Sequence, residues 1–445
     1  MANRINITEV IDSRGIGRFQ VVTFALCAAS LIMDGFDVQA MGYVGPELVP
    51  EWDLAPGQFA QILSATNFGV LIGSLLFTMI ADRIGRRPVL IGTTLFFSIL
   101  TLMAAAADSF EEMRTLRFIG GIGMGSIIPN ATALIGELSP RKRRVTLIMT
   151  ITVGFTAGGA AAGVVSAWLI DAFGWRSVLY FGGAIPLAVG VLMFFWLPES
   201  LEFLALRKRS RERIGNWLRE IDPGLEVGPD TEYVVEGKQR GGAPVANLFL
   251  DGRSLTTLMF WIINFMNLLN LYFLAGWLPQ VLSGVGYSTS EAALITSSMH
   301  VGGLIGTFGL AWLIAGNRFV PVLTVSFAVA CVSIALIGTS GVLALVPALG
   351  VVVFVAGWCI IGGQPGLNAM EATYYPTEMR STGVGFCLGI GRIGAIVGPL
   401  LAGYLIESRW SNEQLFFAAA SAALIATTVT IGLRWTMKLP DDASR

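Results

Sequence analysis

Twelve stretches of about twenty mostly apolar residues, each bounded by a short polar interruption, leave this chain little choice of fold. They fall near 19–46, 58–81, 88–107, 113–136, 145–170, 176–197, 255–282, 291–315, 320–339, 342–370, 381–406 and 413–436. A helix of that length spans the ~30 Å hydrocarbon layer, and in hydrocarbon every backbone polar group must be satisfied within the chain, which helices do. Composition agrees: 54% of the 445 residues are hydrophobic and only 13% charged, about half the charged share of a soluble domain.

The sides of the membrane can be read from charge. Arg83, Arg86, Arg87, Arg141, Lys142, Arg143, Arg144, the cluster from Arg207 to Arg219, Arg318 and Arg380 fall on the side of the N-terminus, against little beyond Arg176 and Arg409 opposite. Short loops rich in Lys and Arg stay in the cytoplasm, so the expectation is a multi-pass protein of the inner, cytoplasmic membrane with both termini inside. No cleavable signal peptide is evident, because a polar basic stretch leads straight into a full-length crossing. The basic residues form no continuous patch, and no nucleic-acid partner is expected. Cys27, Cys331, Cys359 and Cys387 stand singly in apolar segments without metal or redox spacing and read as small buried hydrophobes.

Residues 198–254 break the apolar pattern with Arg, Lys, Glu, Asp and Gly. They divide the chain into an N-terminal six-helix bundle, 1–197, a cytoplasmic linker, 198–254, and a C-terminal six-helix bundle, 255–445. The two bundles align on each other. Pro129 and Pro140 match Pro365 and Pro376, and Gly154, Gly159, Gly163 and Trp175 match Gly389, Gly394, Gly398 and Trp410 at a constant offset of 235. Pro46 pairs with Pro279. The fold class expected is therefore an all-α membrane protein, twelve transmembrane helices in two pseudo-symmetric six-helix bundles, with a substrate path at the midplane between them. The glycines themselves read as helix-packing positions. Gly389, Gly391 and Gly394 fit a dinucleotide-binding pattern only literally, since no strand precedes them.

Charges at membrane depth are costly and therefore candidate functional groups. Asp34 and Asp37 share one face of the first crossing, and their matches in the seventh are Asn267 and Asn270. Titratable groups stand on one side of the symmetry and neutral amides on the other, which places proton chemistry in the N-terminal bundle. Arg117 in the fourth crossing is matched by Val353, and Arg392 in the eleventh by Ala157, so each bundle supplies one unmatched cation. Helical rise puts Asp34 ~22 Å into its helix and Arg117 a turn or so into its own from the other side, both in the outer half of the bilayer. A carboxylate paired with Arg117 there would offset part of the cost of burial, either for function or simply to hold two helices together.

His300, the one histidine, lies near the middle of the eighth crossing and is matched by Asn67. It reads as a substrate or proton gate, or equally as a satisfied packing residue. The polar groups expected along the substrate path are thus Arg117, Arg392, His300, Asn67, Asn267 and Asn270. Phe36, Tyr272, Trp358 and Phe386 are available to flank a ring, although packing is the commoner use of such residues. The loop after the second crossing, Asp82, Arg83, Gly85, Arg86 and Arg87, offers a tight turn and charge pairs that can lock helix ends, or simply positive anchors on the cytoplasmic side.

These residues resemble the major facilitator superfamily, and within it the aromatic acid/proton symporter family. Asp82 to Arg87 resembles the superfamily's signature loop between helices two and three. Asp34-Gly-Phe-Asp37 with Gly42 and Pro46 resembles the family's first-helix motif. Arg117-Phe-Ile-Gly-Gly-Ile-Gly-Met-Gly with Pro129-Asn130, Glu137 and Ser139-Pro140 resembles its fourth helix, and Gly391-Arg392 with Gly394-Ala395 and Gly398-Pro399 its eleventh. The resemblance implies functional roles for Asp34, Asp37, Asp82, Arg117, Glu137 and Arg392, with Glu137 joining Asp34 and Asp37 among the proton-coupling acids. Where the family repeats an Asp-Arg loop between helices eight and nine, this chain has only Asn317-Arg318.

The function expected is a proton-coupled secondary transporter importing an organic anion, an aromatic carboxylate by the resemblance. The partners are the anion, protons and the lipid bilayer, and a monomer is expected to suffice. Cofactors are expected to be none, the proton gradient being the energy source. Two arginines in the crossings favour an anion, since guanidinium recognises carboxylate by paired hydrogen bonds. Proton-driven export of a drug-like compound would call for unpaired acids in the cavity, and a non-transporting sensor for an output domain larger than this linker. Neither a nucleophile and base pair, nor metal-ligand spacing, nor a Walker lysine points to an enzyme.

Overall fold

The structure, a computed structural model, describes residues 4–13, 15–207, 211–221, 224–225, 231–235, 244–316, 318–339 and 345–437. Twelve helices among them are long and apolar enough to cross a membrane: Arg18–Glu51, Pro56–Ile84, Arg86–Ala105, Phe110–Leu138, Arg141–Phe173, Arg176–Trp196, Ser254–Gly284, Thr289–Ile314, Phe319–Ile337, Val346–Tyr374, Arg380–Glu407 and Asn412–Thr436. They are called the first to twelfth crossings below. The all-α, twelve-helix membrane architecture expected from the sequence is the one observed. Its rims carry exposed large side chains such as Leu75, Trp168, Phe308, Trp312 and Trp435, as a lipid-facing surface requires.

Several helix ends depart from the sequence reading. The first helix runs through Pro46 and Pro50 to Glu51, and the seventh through Pro279 to Gly284. Packed neighbours and local adjustment re-satisfy the backbone groups that proline frees in a membrane helix. The tenth continues to Tyr374, four residues beyond the expected end, and stops only before Pro376. The fourth crossing is two helices, Phe110–Met124 and Ile127–Leu138, broken at Gly125 and Ser126. At that break Ser126 Oγ donates to Thr93 Oγ1 at 2.6 Å.

Residues 198–254 contain more order than a bare linker. Short helices Leu201–Leu206 and Arg211–Ile221 precede a strand, Glu232–Val234, which pairs in parallel with Arg4–Asn6 in the register Arg4 to Glu232. Three-residue strands carry no readable alternation, and this pairing spans more than two hundred residues of sequence, so nothing in the local pattern announces it.

With respect to the membrane the linker marks one side; the opposite one is the far side. There the first six crossings touch the last six. Gly42 of the first crossing lies against the Ala275 carbonyl of the seventh, and Gly403 of the eleventh against Ala60 and Pro56 of the second. Ser297 Oγ in the eighth donates to the Ala160 carbonyl in the fifth at 2.8 Å, Ser290 Oγ to the Ala167 carbonyl at 3.0 Å, and Thr289 Oγ1 to Glu47 Oε1 at 2.6 Å. On the linker side the helices part instead. A cleft of about 890 Å³ opens between Pro129, Glu137, Arg141 and Arg144 on one wall and Ser381 and Leu388 of the eleventh crossing on the other. The chain is closed on the far side and open toward the linker.

Candidate functional site

Asp34 and Asp37 lie near the middle of the 34-residue first helix, yet they have different surroundings. Asp37 is fully buried and takes Arg117, whose Nη1 lies 2.9 Å from Oδ2 and 3.0 Å from Oδ1. Arg117 Nη2 donates to the Asp37 backbone carbonyl at 3.0 Å, its Nε to Thr66 Oγ1 at 3.2 Å, and Thr101 Oγ1 donates to Asp37 Oδ1 at 3.0 Å. The pair therefore ties the first crossing to the second, third and fourth. With each of the three guanidinium nitrogens engaged and 3% of its side chain exposed, Arg117 is closed off from a ligand in this state.

Asp34 faces the other way, toward the last six helices. It is within electrostatic reach of Arg392, and both act on Tyr272. Arg392 Nη1 donates to the Tyr272 hydroxyl at 3.4 Å, while Asp34 Oδ1 is buried without a hydrogen-bond partner. Arg392 is half-buried and makes no ion pair within 4.0 Å among the described residues. Three helices thus bring one acid, one guanidinium and one phenol to the junction of the two bundles. Of the four aromatics available for a ring, only Tyr272 is placed here. Phe36 packs on Phe181, Trp358 against Gly306 and Gly309, and Phe386 on Trp261.

The amides divide. Ser64 Oγ donates to the Ile396 carbonyl at 2.9 Å, which fixes the level of the second crossing against the eleventh. Asn67 and Arg392 are each about one turn further toward the linker side, at a common level. Asn67 Nδ2 donates to the Leu63 carbonyl at 3.3 Å and its Oδ1 is unpartnered. Asn267 Nδ2 donates to the Ile360 carbonyl at 3.1 Å and Gln364 Oε1 at 2.8 Å, again with Oδ1 unpartnered. Asn270 turns toward the twelfth crossing, where, with its amide oriented to satisfy both groups, it donates to the Ala419 carbonyl at 2.8 Å and accepts from Ala423 N–H at 3.1 Å. His300 Nδ1 lies 3.4 Å from the Tyr43 hydroxyl, which donates to the Gly159 carbonyl at 3.3 Å, so this histidine joins the eighth crossing to the first and fifth. A side chain at Gly159 would collide with the imidazole.

Glu137 sits apart from the two aspartates, in the loop cluster on the linker side. Arg86 Nη2 bridges Asp82 Oδ1 at 3.0 Å and Glu137 Oε1 at 3.4 Å, and Ser200 Oγ donates to Glu137 Oε2. Glu199 Oε1 accepts the backbone N–H of Arg86 at 3.0 Å and of Arg87 at 3.3 Å. Arg87 Nε and Nη2 donate to the Leu197 and Phe194 carbonyls, each at 2.6 Å, closing the end of the sixth crossing. Burial pushes the Glu199 carboxyl up, against the pull of the Ser200, Arg87 and Arg86 N–H groups and the Arg86 charge. Gly85 has φ +115°, and a methyl there would meet Glu199 and Phe203. Arg83 makes no ion pair within 4.0 Å among the described residues. Asn317 lies outside the described residues, and Arg318 is exposed at the start of the ninth crossing.

Sequence reasoning passed over Glu199 and Ser200, which read as ordinary linker, and a polar string in the last six helices. There Gln364 Nε2 donates to Asn264 Oδ1 at 3.0 Å and Asn368 Oδ1 at 2.9 Å, and Asn264 Nδ2 donates to Glu371 Oε1 at 2.5 Å. The signal available was Glu371 itself, an acid one residue past the expected end of the tenth crossing.

Comparison with known proteins agrees with this architecture. The sequence matches the family model described as Major Facilitator Superfamily over residues 27–353 and 260–445. It is 36% identical to the gallate transporter of Pseudomonas putida, over 94% of each chain. It is 34% identical to the 4-hydroxybenzoate transporter PcaK of the same organism, over 96% of this chain and 95% of that one. Among solved structures, a bacterial homologue of the human lysosomal transporter Spinster superposes with a TM-score of 0.74 at 17% identity, covering 96% of this chain and all of that one. The D-xylose-proton symporter gives 0.73 at 16%, covering 94% and 98%. The relatives are transporters, as the absence of enzyme motifs in the sequence led us to expect. The chain is a multi-pass membrane protein that belongs to the major facilitator superfamily and, within it, to the aromatic acid/proton symporters.

Proposed function

We propose that this chain imports a small aromatic carboxylate together with a proton across the cytoplasmic membrane by alternating access. The observation that carries the reading is that Arg392, at the bundle junction, stands within reach of Asp34 but is not locked to it. One guanidinium can compensate one carboxylate. When a substrate carboxylate takes Arg392, Asp34 loses its compensating charge, and losing a unit charge from ~4–6 Å costs on the order of 3–4 kcal/mol at an effective dielectric constant near 20. A proton on Asp34 removes that cost, so anion and proton bind as a pair. Asp37 is committed to its ion pair with Arg117 and takes no part in exchange.

Tyr272 is the group placed to meet the ring, and the unpartnered oxygens of Asn67 and Asn267 supply further polar contacts nearby as the helices rearrange. His300, with Tyr43 and Gly159, belongs to the far-side closure. Asp82, Arg86, Glu137 and Glu199 brace the linker-side ends of the first bundle while 1–197 rocks against 255–445, joined through 198–254. The concentration of Lys and Arg on the linker side supports a cytoplasmic linker and termini. The relatives named for gallate and 4-hydroxybenzoate support the substrate class. No step here needs a cofactor or a second copy of the chain; the proton gradient supplies the energy.

Purified protein in liposomes, offered aromatic and aliphatic acids with an imposed pH gradient, tests the reading. Accumulation of hydroxybenzoates, collapsing when the gradient is dissipated, is expected. Uptake indifferent to the gradient, or confined to aliphatic acids, would contradict it.

A further inference from the structure

Glu371, in the tenth crossing, is fully buried and lies outside the cluster of Asp34, Arg392 and Tyr272. Its Oε1 accepts from Asn264 Nδ2, and its Oε2 has no hydrogen-bond partner. Asn264 is not free to turn over, because its own Oδ1 accepts from Gln364. Its amide hydrogens therefore point at Oε1, which leaves Oε2 as the oxygen free to take a proton.

The neighbours hold no compensating charge. From the seventh crossing comes Asn264, a neutral amide, and from the eleventh Cys387, which lies against the carboxyl. Tyr375, at the end of the tenth, donates to Thr257 Oγ1 at 3.1 Å. Arg380, at the start of the eleventh, is turned to the Tyr375 carbonyl at 3.4 Å. No ion pair reaches Glu371 among the described residues.

Symmetry sharpens the contrast. At the offset of 236 fixed by the flanking prolines, Glu371 matches Ile135, while Glu137, which has Arg86 beside it, matches Thr373; the buried acid of the tenth crossing has no counterpart in the fourth. A buried carboxyl without a partner neutralises rather than stay ionised. A candidate partner exists across the cleft, where Arg144 and Arg141 of the fifth crossing, the latter paired in this state with Asp12 at 3.2 Å, line the wall opposite Ser381 and Leu388 of the eleventh. Closing the linker side carries those arginines toward the ends of the tenth and eleventh crossings.

We infer that Glu371 is a second proton-binding site, neutral while the linker side is open and ionised when that side closes. The proton joins Oε2 from water on the linker side and returns to the same water, so it adds nothing to the charge moved across the membrane. It makes the opening of the linker side depend on the pH there. The inference goes beyond the transport reading, sharing with it only the rocking of the two bundles.

Two measurements test it on the full-length protein in lipid, without substrate. In pH-difference infrared spectra the wild type should show a protonated-carboxyl band that E371Q lacks and D34N keeps. Spin labels at T132C and V384C, on the two walls of the cleft, should report an open-to-closed ratio that falls at least tenfold as pH is raised by two units. E371Q, which mimics the neutral acid and still accepts from Asn264, should remain open throughout, and E371D should restore a pH response. An identical carboxyl band in wild type and E371Q, or an unchanged pH response in E371Q, would overturn the inference. Failure of every aromatic acid to be transported would refute the transport reading and leave both of these signals as they are.

Discussion

The buried pair of Arg117 and Asp37 makes the most quantitative demand on the structure. Removing either partner leaves its mate uncompensated at membrane depth, which typically costs 3–5 kcal/mol. In D37N the guanidinium keeps its bonds to the backbone carbonyl of residue 37 and to Thr66, so the lower end, about 3 kcal/mol, applies. That is a loss of roughly 150-fold in the ratio of folded to unfolded protein. R117M keeps the length of the side chain and strands Asp37 with only Thr101 as donor, and should cost more. The double variant D37N/R117M buries no charge at this point and should recover about 2–3 kcal/mol relative to the sum of the singles. Unfolding of the three variants in mixed micelles, followed by circular dichroism, gives the cycle. Singles that each cost under about 1 kcal/mol, or costs that simply add, would refute a tightly coupled pair and free Arg117 to serve as a ligand.

Other outcomes follow from the remaining sites. R392K keeps the charge but loses the planar fork, so apparent affinity for the carboxylate should fall about tenfold, and R392A should nearly abolish binding; unchanged affinity in R392A would move the anion site elsewhere. Glu199 holds its proton more tightly folded than unfolded, so its contribution to stability is full below the ordinary value of 4.5 and is lost as pH rises through its raised value; E199Q should flatten this part of the pH profile of thermal unfolding. With Asp37 held by Arg117, the proposed mechanism predicts one proton for each monocarboxylate and electrically silent transport. An inside-negative potassium diffusion potential without a pH gradient should then drive little uptake, although each 100 mV offers ~2.3 kcal/mol to any net charge moved. Strong uptake under that potential would mean a second transported proton.

The sequence and the structure agree where a signal is periodic and repeated. The twelve crossings were legible because each rests on many residues. The pairing of Arg117 was legible only as far as a nearby carboxylate. Asp34 and Asp37 are three residues apart on one helix, and which of them meets Arg117 depends on a rotation of the helix set elsewhere, by the contact of Gly35 with Phe155 in the fifth crossing. Glu371 escaped because the tenth crossing was expected to end one residue before it, where an acid reads as interfacial; the helix runs on to Tyr374 and takes the carboxyl inside. Asn270 was grouped with Asn267 by symmetry, yet one faces the twelfth crossing and the other the tenth. The pairing of Arg4–Asn6 with Glu232–Val234 had no local signal at all.

The central claim, that Asp34 carries the proton that accompanies the anion on Arg392, is tested most directly by D34N in proteoliposomes. Two rates are needed from one preparation: accumulation of labelled 4-hydroxybenzoate down an imposed pH gradient, and its exchange at equal concentration and equal pH. The substituted amide preserves the shape of the side chain but holds no exchangeable carboxyl proton. Exchange should persist while gradient-driven accumulation falls to the level of protein-free liposomes. Accumulation by D34N that still follows the pH gradient would contradict the claim and place the coupled proton on another group.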